Sequence, residues 1–263
     1  MIPKIIHFIW VGDNPKSELA KKCIASWKKF CPDYQIMEWG NDALKEIDNI
    51  YLKEAFECKK WAFVSDYLRL YALSKFGGIY CDTDLELTQH IDKFLDNSFF
   101  TGYESWEGKI SPITALMGAE KNNPIIADLL KDYDSIHFIT NGKMDLTTNV
   151  LRISKYFEKK FNLNSPYNGN NTTKLDNNVI IYPSYFFCTP ENWKENYSIH
   201  HFNGSWVDGY NRKNFFKFFK FRIVKYKKRL DTSNNRYPLL PLEKIIFLIS
   251  ISNRKKIALV KEK

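Results

Sequence analysis

The sequence predicts an α/β fold with a mainly parallel sheet flanked by helices. Three observations carry the prediction. Residues 4–10 (KIIHFIW) form an apolar run too short for a helix and broken by Val11-Gly12-Asp13, which is how a strand buried on both faces reads. Residues 79–82 form a second such run, entered directly from a helical pattern through Gly77-Gly78. Strand and helix patterns alternate through the first 90 residues, as βα units do.

In chain order, residues 17–30 read as a helix, stopped by Cys31-Pro32-Asp33. Residues 35–39 form a short strand. Residues 41–47 form a short helix capped by Asn41 or Asp42. A longer helix is expected over about 59–76, closed by Gly77-Gly78. Further strands are expected at 99–103 and 115–118, and helices at 124–133 and 147–161. The Asn-rich stretch 162–178 reads as a surface loop, followed by strands at 179–182 and 197–202. Ligands of such sheets sit beyond the carboxyl ends of the strands, where Trp10-Val11-Gly12 and Asp82-Thr83-Asp84 fall.

The chain has 263 residues, 44% hydrophobic, 26% charged and 16% aromatic. That composition excludes disorder, collagen-like repeats and a coiled coil. Five cysteines without CxxC spacing argue against a disulfide framework or a zinc ribbon and for a reducing, cytoplasmic setting. The N-terminal apolar run is too short for a signal peptide, so the Asn170, Asn171, Asn196 and Asn203 sequons carry no expectation of glycosylation. No apolar run reaches the roughly 18 residues of a membrane span.

The net charge of +9 is unevenly placed: residues 211–263 hold 16 basic and 3 acidic side chains, whereas the preceding 210 are mildly acidic. Two domains are therefore expected, a body over 1–210 and a basic tail over 211–263. At the helical step, Phe215, Phe216, Phe219, Ile223, Tyr226 and Leu230 fall on one stripe. The tail is thus expected to be a basic amphipathic helix lying on an anionic membrane surface, at the inner face of the cell membrane, and not a nucleic-acid binder. The plainer alternative is a helix packed on the body with solvated lysines.

The stretch 61–87 (WAFVSDYLRLYALSKFGGIYCDTDLEL) is the most informative. Asp66 and Arg69 share a helix face. Asp82 and Asp84, at the end of a strand, offer oxygen ligands to a hard divalent cation, Mg2+ or Mn2+, which keeps open positions for diphosphate oxygens. Two aspartates in a turn are more often merely solvated. It is their placement after helix, Gly pair and strand that gives them weight. In HHFNGSW (200–206), His200 and His201 point to opposite faces of a strand, so at most one readily joins a given site. Ser205 could donate to phosphate, and Trp206 could exclude water. His7 reads as a satisfied core histidine. His90 and His137 have no evident ligand partner, and Cys81 reads as core.

Together, IPKIIHFIWVG, AFVSDYLRLYALSKFGGIYCDTD and HHFNGSW resemble the DxD-containing sugar transferases of glycosyltransferase family 32, over about residues 1–206. The resemblance implies a GT-A fold, a nucleotide-sugar donor such as a UDP- or GDP-sugar, and transfer with retention to a glycan or lipid-linked acceptor, as in capsule and surface-polysaccharide synthesis. It implies that Trp10 stacks on the base, and that Asp66 and Arg69 contact the ribose, sugar or phosphate. Asp82 and Asp84 would hold ribose and metal, while His200 or His201, Ser205 and Trp206 close over the diphosphate. Asp82, Asp84 and Arg69 would carry the chemistry, with acceptor attack on the face the diphosphate leaves. The rival readings are a nucleotide-sugar hydrolase and a non-catalytic sugar-binding or membrane-surface module.

Overall fold

A computed structural model describes residues 1–203, apart from 107, 114 and 177, together with the backbone of strands at 216–218, 221–227, 245–252 and 255–261. The chain divides into two compact units, 1–206 and 207–263.

In the first unit the elements run β1 (Ile5–Ile9), α1 (Glu18–Phe30), β2 (Gln35–Trp39), α2 (Ile50–Glu57), α3 (Trp61–Phe76), β3 (Gly78–Cys81) and β4 (Leu85–Leu87). There follow β5 (Phe99–Gly102), the hairpin β6 (Glu104–Trp106) and β7 (Lys109–Ser111), β8 (Leu116–Ala119) and α4 (Pro124–Asp132). Next come β9 (Ile139–Thr140), β10 (Lys143–Met144), α5 (Asn149–Phe161), β11 (Thr173–Asp176), β12 (Val179–Tyr182), α6 (Ser184–Phe187) and β13 (Ser198–His200). The central sheet has the order β11-β12-β5-β8-β3-β1-β2. β2, β1, β3, β5 and β12 run one way, while β8 and β11 run against them.

β1 is apolar throughout because both of its faces are covered. Ile6, Phe8 and Ile9 are buried, and so is His7. His7 is the satisfied core residue the sequence suggests: its Nε2–H donates to the Gly77 carbonyl at 2.8 Å, and its Nδ1 accepts from Trp39 Nε1 at 3.2 Å. Ser17 caps α1 by accepting from Ala20 N. The buried Trp27 of α1 donates its indole N–H to the Leu85 carbonyl, and Ser26 Oγ accepts from Leu87 N, so α1 fixes β4. The turn from α3 into β3 requires its glycines. Gly77 and Gly78 have φ of +65° and +104°, and a Cβ on Gly78 would lie 2.7 Å from the Ile5 carbonyl oxygen.

Several expectations are corrected. Segment 41–45 is a 3-10 turn preceded by Gly40 and not capped by Asn41 or Asp42. The helix expected from about 59 starts at Trp61, and α2 precedes it, capped by Asn49. The Asn-rich loop contains β11. The helical tail is not what the described segments form. The second unit holds β14 (Phe216–Phe218), β15 (Phe221–Lys227), β16 (Ile245–Ser252) and β17 (Lys255–Lys261), an antiparallel sheet of order β14-β15-β17-β16. Its sequence is rich in Ile, Val and aromatic residues, which favour strands, and in FRIVKYK the residues Phe221 and Val224 already fall off the helical stripe. Pairing of β15 with β17, from Phe221 opposite Lys261 to Lys227 opposite Lys255, uses the strand option. Phe215, Phe219 and Leu230 of the expected stripe lie outside the described residues.

Candidate active site

The site forms where β1 and β3 end side by side. Their parallel register pairs Ile6 with Ile79 and His7 with Tyr80. Carried on, it sets Ile9 across from Asp82, so Trp10 and the Asp82-Thr83-Asp84 turn share the carboxyl edge of the sheet. Trp10 is half-buried, with its indole N–H donated to the Asn14 carbonyl at 2.8 Å. Asn41 Oδ1 accepts from Gly12 N at 2.8 Å and steadies the loop after β1.

On α3, Arg69 Nη2 lies 3.0 Å from Asp66 Oδ1 and reaches on to Asp82 Oδ1 at 3.4 Å. Its Nε donates to the Ser65 carbonyl and its Nη2 to Ser65 Oγ, both at 3.1 Å. Tyr80 completes the group: its ring centre is 4.4 Å from the guanidinium carbon, and its hydroxyl donates to Asp82 Oδ1 at 2.5 Å. Asp66 is buried and also accepts from Asn149 N at 3.1 Å. Burial lifts its carboxyl to about 6, against the pull of Arg69.

The distant HHFN segment arrives through β13, which pairs antiparallel with β4 and sets His200 opposite Leu85. His201 N then donates to the Asp84 carbonyl at 3.0 Å, and Asn203 N to Asp84 Oδ2 at 2.8 Å. Alternation along the strand separates the two histidines. His200 Nε2 lies 3.5 Å from Asp84 Oδ1, whereas His201 Nε2 lies 2.8 Å from Glu86 Oε2. The structure therefore brings His200, and not His201, to the Asp82–Asp84 pair. Ser205 and Trp206 lie outside the described residues.

Asp82, Asp84 and His200 each present a ligand atom within 4.8 Å of the others. Two carboxylates and an imidazole are a donor set that suits Mn2+ or Mg2+. Behind the ring, the buried Nδ1 of His200, with no hydrogen-bond partner among the described residues, lies 3.4 Å from Glu104 Oε2. Metal-binding histidines usually have a carboxylate in that place. Burial would lower the His200 imidazole, but Asp84, Cys188 and Glu104 overcome it and hold the ring protonated up to about 12. Burial would likewise raise Asp84, but His200 and the Asn203 amide keep it below the usual carboxylate range. The carboxylates of Asp82, Asp84 and Glu104 around this imidazole concentrate negative charge where a cation would sit.

Sequence reasoning missed Tyr80, Asn149, Glu104 and Cys188. Tyr80 had a signal, since it stands two residues before Asp82 and so on the same strand face. The other three come from distant segments and had none. His137 pairs with Glu54 at 3.0 Å, and His90 lies near Asp33 and Asp92, all away from this edge.

Residues 17–101 match the family described as "Glycosyltransferase sugar-binding region containing DXD motif". "Inositol phosphoceramide mannosyltransferase 3" of Schizosaccharomyces pombe is 25% identical over 147 residues, 52% of this chain and 38% of that protein. "Mannosyl phosphorylinositol ceramide synthase SUR1" of Saccharomyces cerevisiae is 26% identical over 199 residues, 71% of this chain and 48% of that protein. The chain thus spans less than half the length of either relative. Among solved structures, PaToxG Glycosyltransferase is 22% identical with a TM-score of 0.46, over 61% of this chain and 70% of that one. A glycosyltransferase involved in glycosylation of the major capsid of PBCV-1 is 13% identical with a TM-score of 0.44, over 78% of this chain and 96% of that one. Residues 17–101 are thus similar to the DXD-containing sugar-binding region of glycosyltransferases.

Proposed function

We propose that the chain is a retaining, divalent-metal-dependent glycosyltransferase that moves a hexose from a UDP- or GDP-sugar to a lipid-linked glycan acceptor in surface-polysaccharide synthesis. The observation that carries the reading is the meeting of Asp82, Asp84 and His200 at the sheet edge, flanked by the Arg69–Asp66 pair. In this reading Asp82, Asp84 and His200 hold Mn2+ or Mg2+. The ion would neutralise charge on the departing diphosphate. Arg69, held by Asp66, Ser65 and the Tyr80 ring, presents fixed positive charge beside Asp82 and adds electrostatic stabilisation where charge develops. Trp10 offers its indole to the base from the end of β1. The proposal also gives Ser205 and Trp206 the role their motif implies, contact with the diphosphate once donor is bound. No motif marks a second carboxylate as nucleophile, so the acceptor attacks on the face the diphosphate leaves.

The relatives' names point to mannose as the first donor sugar to try and to an inositol phospholipid as a first acceptor. Peripheral attachment to the inner face of the cell membrane is part of the proposal. It is supported by the basic composition of residues 211–263 and is compatible with the lack, among the described residues, of any helix long and apolar enough to cross a membrane.

The test is turnover of a panel of UDP- and GDP-sugars with Mn2+ or Mg2+, with and without acceptors. Sugar should pass to an acceptor in excess of free sugar released, and NMR of the product should show the donor's anomeric configuration. Asp82→Asn and Asp84→Asn should each cut turnover at least about 100-fold and weaken Mn2+ binding. Full metal and nucleotide binding in both variants would refute the site. A sugar trapped covalently on a side chain would refute same-face attack, and release of free sugar alone would favour a hydrolase.

A further inference from the structure

The carboxyl edge of the sheet carries more than the DXD group. Trp10 follows β1, Asp82 follows β3, Glu104 comes two residues after β5, and Ser184 comes two residues after β12. β8 lies between β3 and β5, running the other way. At about 4.8 Å per strand, Ser184 is three strands, about 14 Å, beyond Asp82 on the side away from Trp10. A cleft of about 360 Å³ opens there, between the β6–β7 hairpin, the loop 166–170 and the segment 184–191. Its size is at the lower end of the range for small-ligand sites.

The cleft's chemistry is specific. The lining includes the Tyr167 ring, the Asn168 and Asn170 amides, and the Ser184 and Thr189 hydroxyls, with no Lys, Arg or His among the described residues. Among the described lining residues the one carboxylate, Glu191, is paired with Lys194 at 2.9 Å. Ser184 is buried, and its hydroxyl has no hydrogen-bond partner among the described residues. A buried hydroxyl in that state calls for a group that completes it. Amides and hydroxyls both donate and accept, and an aromatic face packs against C–H groups. That combination suits a neutral ring bearing many hydroxyls and, among the described residues, supplies no cation to hold a phosphate. The cleft also adjoins the candidate metal cluster through the chain. Ser105 and Thr189, which line it, directly follow Glu104 and Cys188, which flank His200, and Thr189 Oγ1 donates to the Ser105 carbonyl.

We propose that this cleft binds the hydroxyl-bearing ring of the acceptor, a neutral saccharide or cyclitol. The assignment rests on the transferase reading above: with the nucleoside toward Trp10 and the diphosphate at Asp82 and Asp84, the acceptor approaches from the opposite side.

The experiment is saturation-transfer NMR on the full chain, with methyl α-D-mannopyranoside and myo-inositol as separate probes and UDP and GDP with diamagnetic Mg2+ as references. At least one ring probe should show transfer, and which one does separates saccharide from cyclitol. Ser184→Ala, which removes one hydroxyl, should weaken its binding about fivefold, the worth of one hydrogen bond. Tyr167→Ala should weaken it more, with nucleotide signals and thermal midpoints unchanged in both variants. Ring signals that are missing, or that survive both substitutions while a nucleotide still binds, would overturn the proposal. Ring binding lost in the variants, but with no nucleotide bound by the wild type, would overturn the transferase reading and leave a saccharide cleft.

Discussion

Arg69 lies between two carboxylates, 3.0 Å from Asp66 and 3.4 Å from Asp82, with the Tyr80 ring beneath it. Its planar fork serves several partners at once, which a lysine cannot do. Arg69→Lys should therefore lower turnover at least about tenfold. Arg69→Ala, which leaves Asp66 buried without its cation, should cost about 3–5 kcal/mol of stability. Steady-state kinetics and urea denaturation check the two claims. His7 makes a different prediction. Both of its hydrogen bonds use the neutral ring, and burial drives its pKa down to about 4 from 6.5. The folded value lies below the unfolded one, so the unfolded chain takes up the proton first as pH falls. The stabilising contribution is whole above about pH 6.5 and drains away toward pH 4, on the order of 3 kcal/mol in all. Urea midpoints of wild type and His7→Gln at pH 7.5 and 4.5 should converge at the lower pH. A constant gap would contradict the assignment. His7 was legible as core because apolar neighbours surround it in KIIHFIW, but its two partners come from β2 and the end of α3.

At the scale of elements, the α3–Gly77–Gly78–β3 unit delivers the DXD turn to the sheet edge. Gly78→Ala would place a Cβ against the Ile5 carbonyl at a φ that side chains resist, and so would strain the β1–β3 pair directly. A loss of about 2 kcal/mol or more is expected, read as a lowered thermal midpoint. An unchanged midpoint would mean that β3 can shift without cost. This unit was readable because its signals are local: apolar periodicity, a Gly pair and an apolar run. α2 was not, because its eight residues between two loops give too short a window for a 3.6 period to stand out. The β6–β7 hairpin, with strands of three residues, gives an even weaker pattern. The tail misled for a physical reason as well. Phe, Ile, Val and Lys mixed at close spacing give no clean period, and pairing between segments about 30 residues apart then decides.

For the molecule as a whole, the two units carry opposite charge, the second holding most of the basic excess. If that excess meets a membrane, each Lys or Arg near an anionic surface contributes about 1 kcal/mol. The full chain should co-sediment with vesicles containing phosphatidylserine at 0.1 M salt. It should release at 0.5 M, and the triple change of Lys225, Lys227 and Lys228 to Glu should weaken binding by about 100-fold or more. Binding that ignores both salt and these charges would refute an electrostatic attachment. The sequence alone determined the alternating α/β order, the strand-end position of Asp82 and Asp84, the helical pairing of Asp66 with Arg69, and the imbalance of charge. All of these are set by residues within one or two turns or strands of each other. Only the tertiary structure decided that His200 and not His201 joins the aspartates, that Glu104 stands behind it, and that the tail pairs as strands. Those outcomes depend on which distant segments meet and in what register, and a shift of one residue in the β4–β13 pair would exchange the two imidazoles.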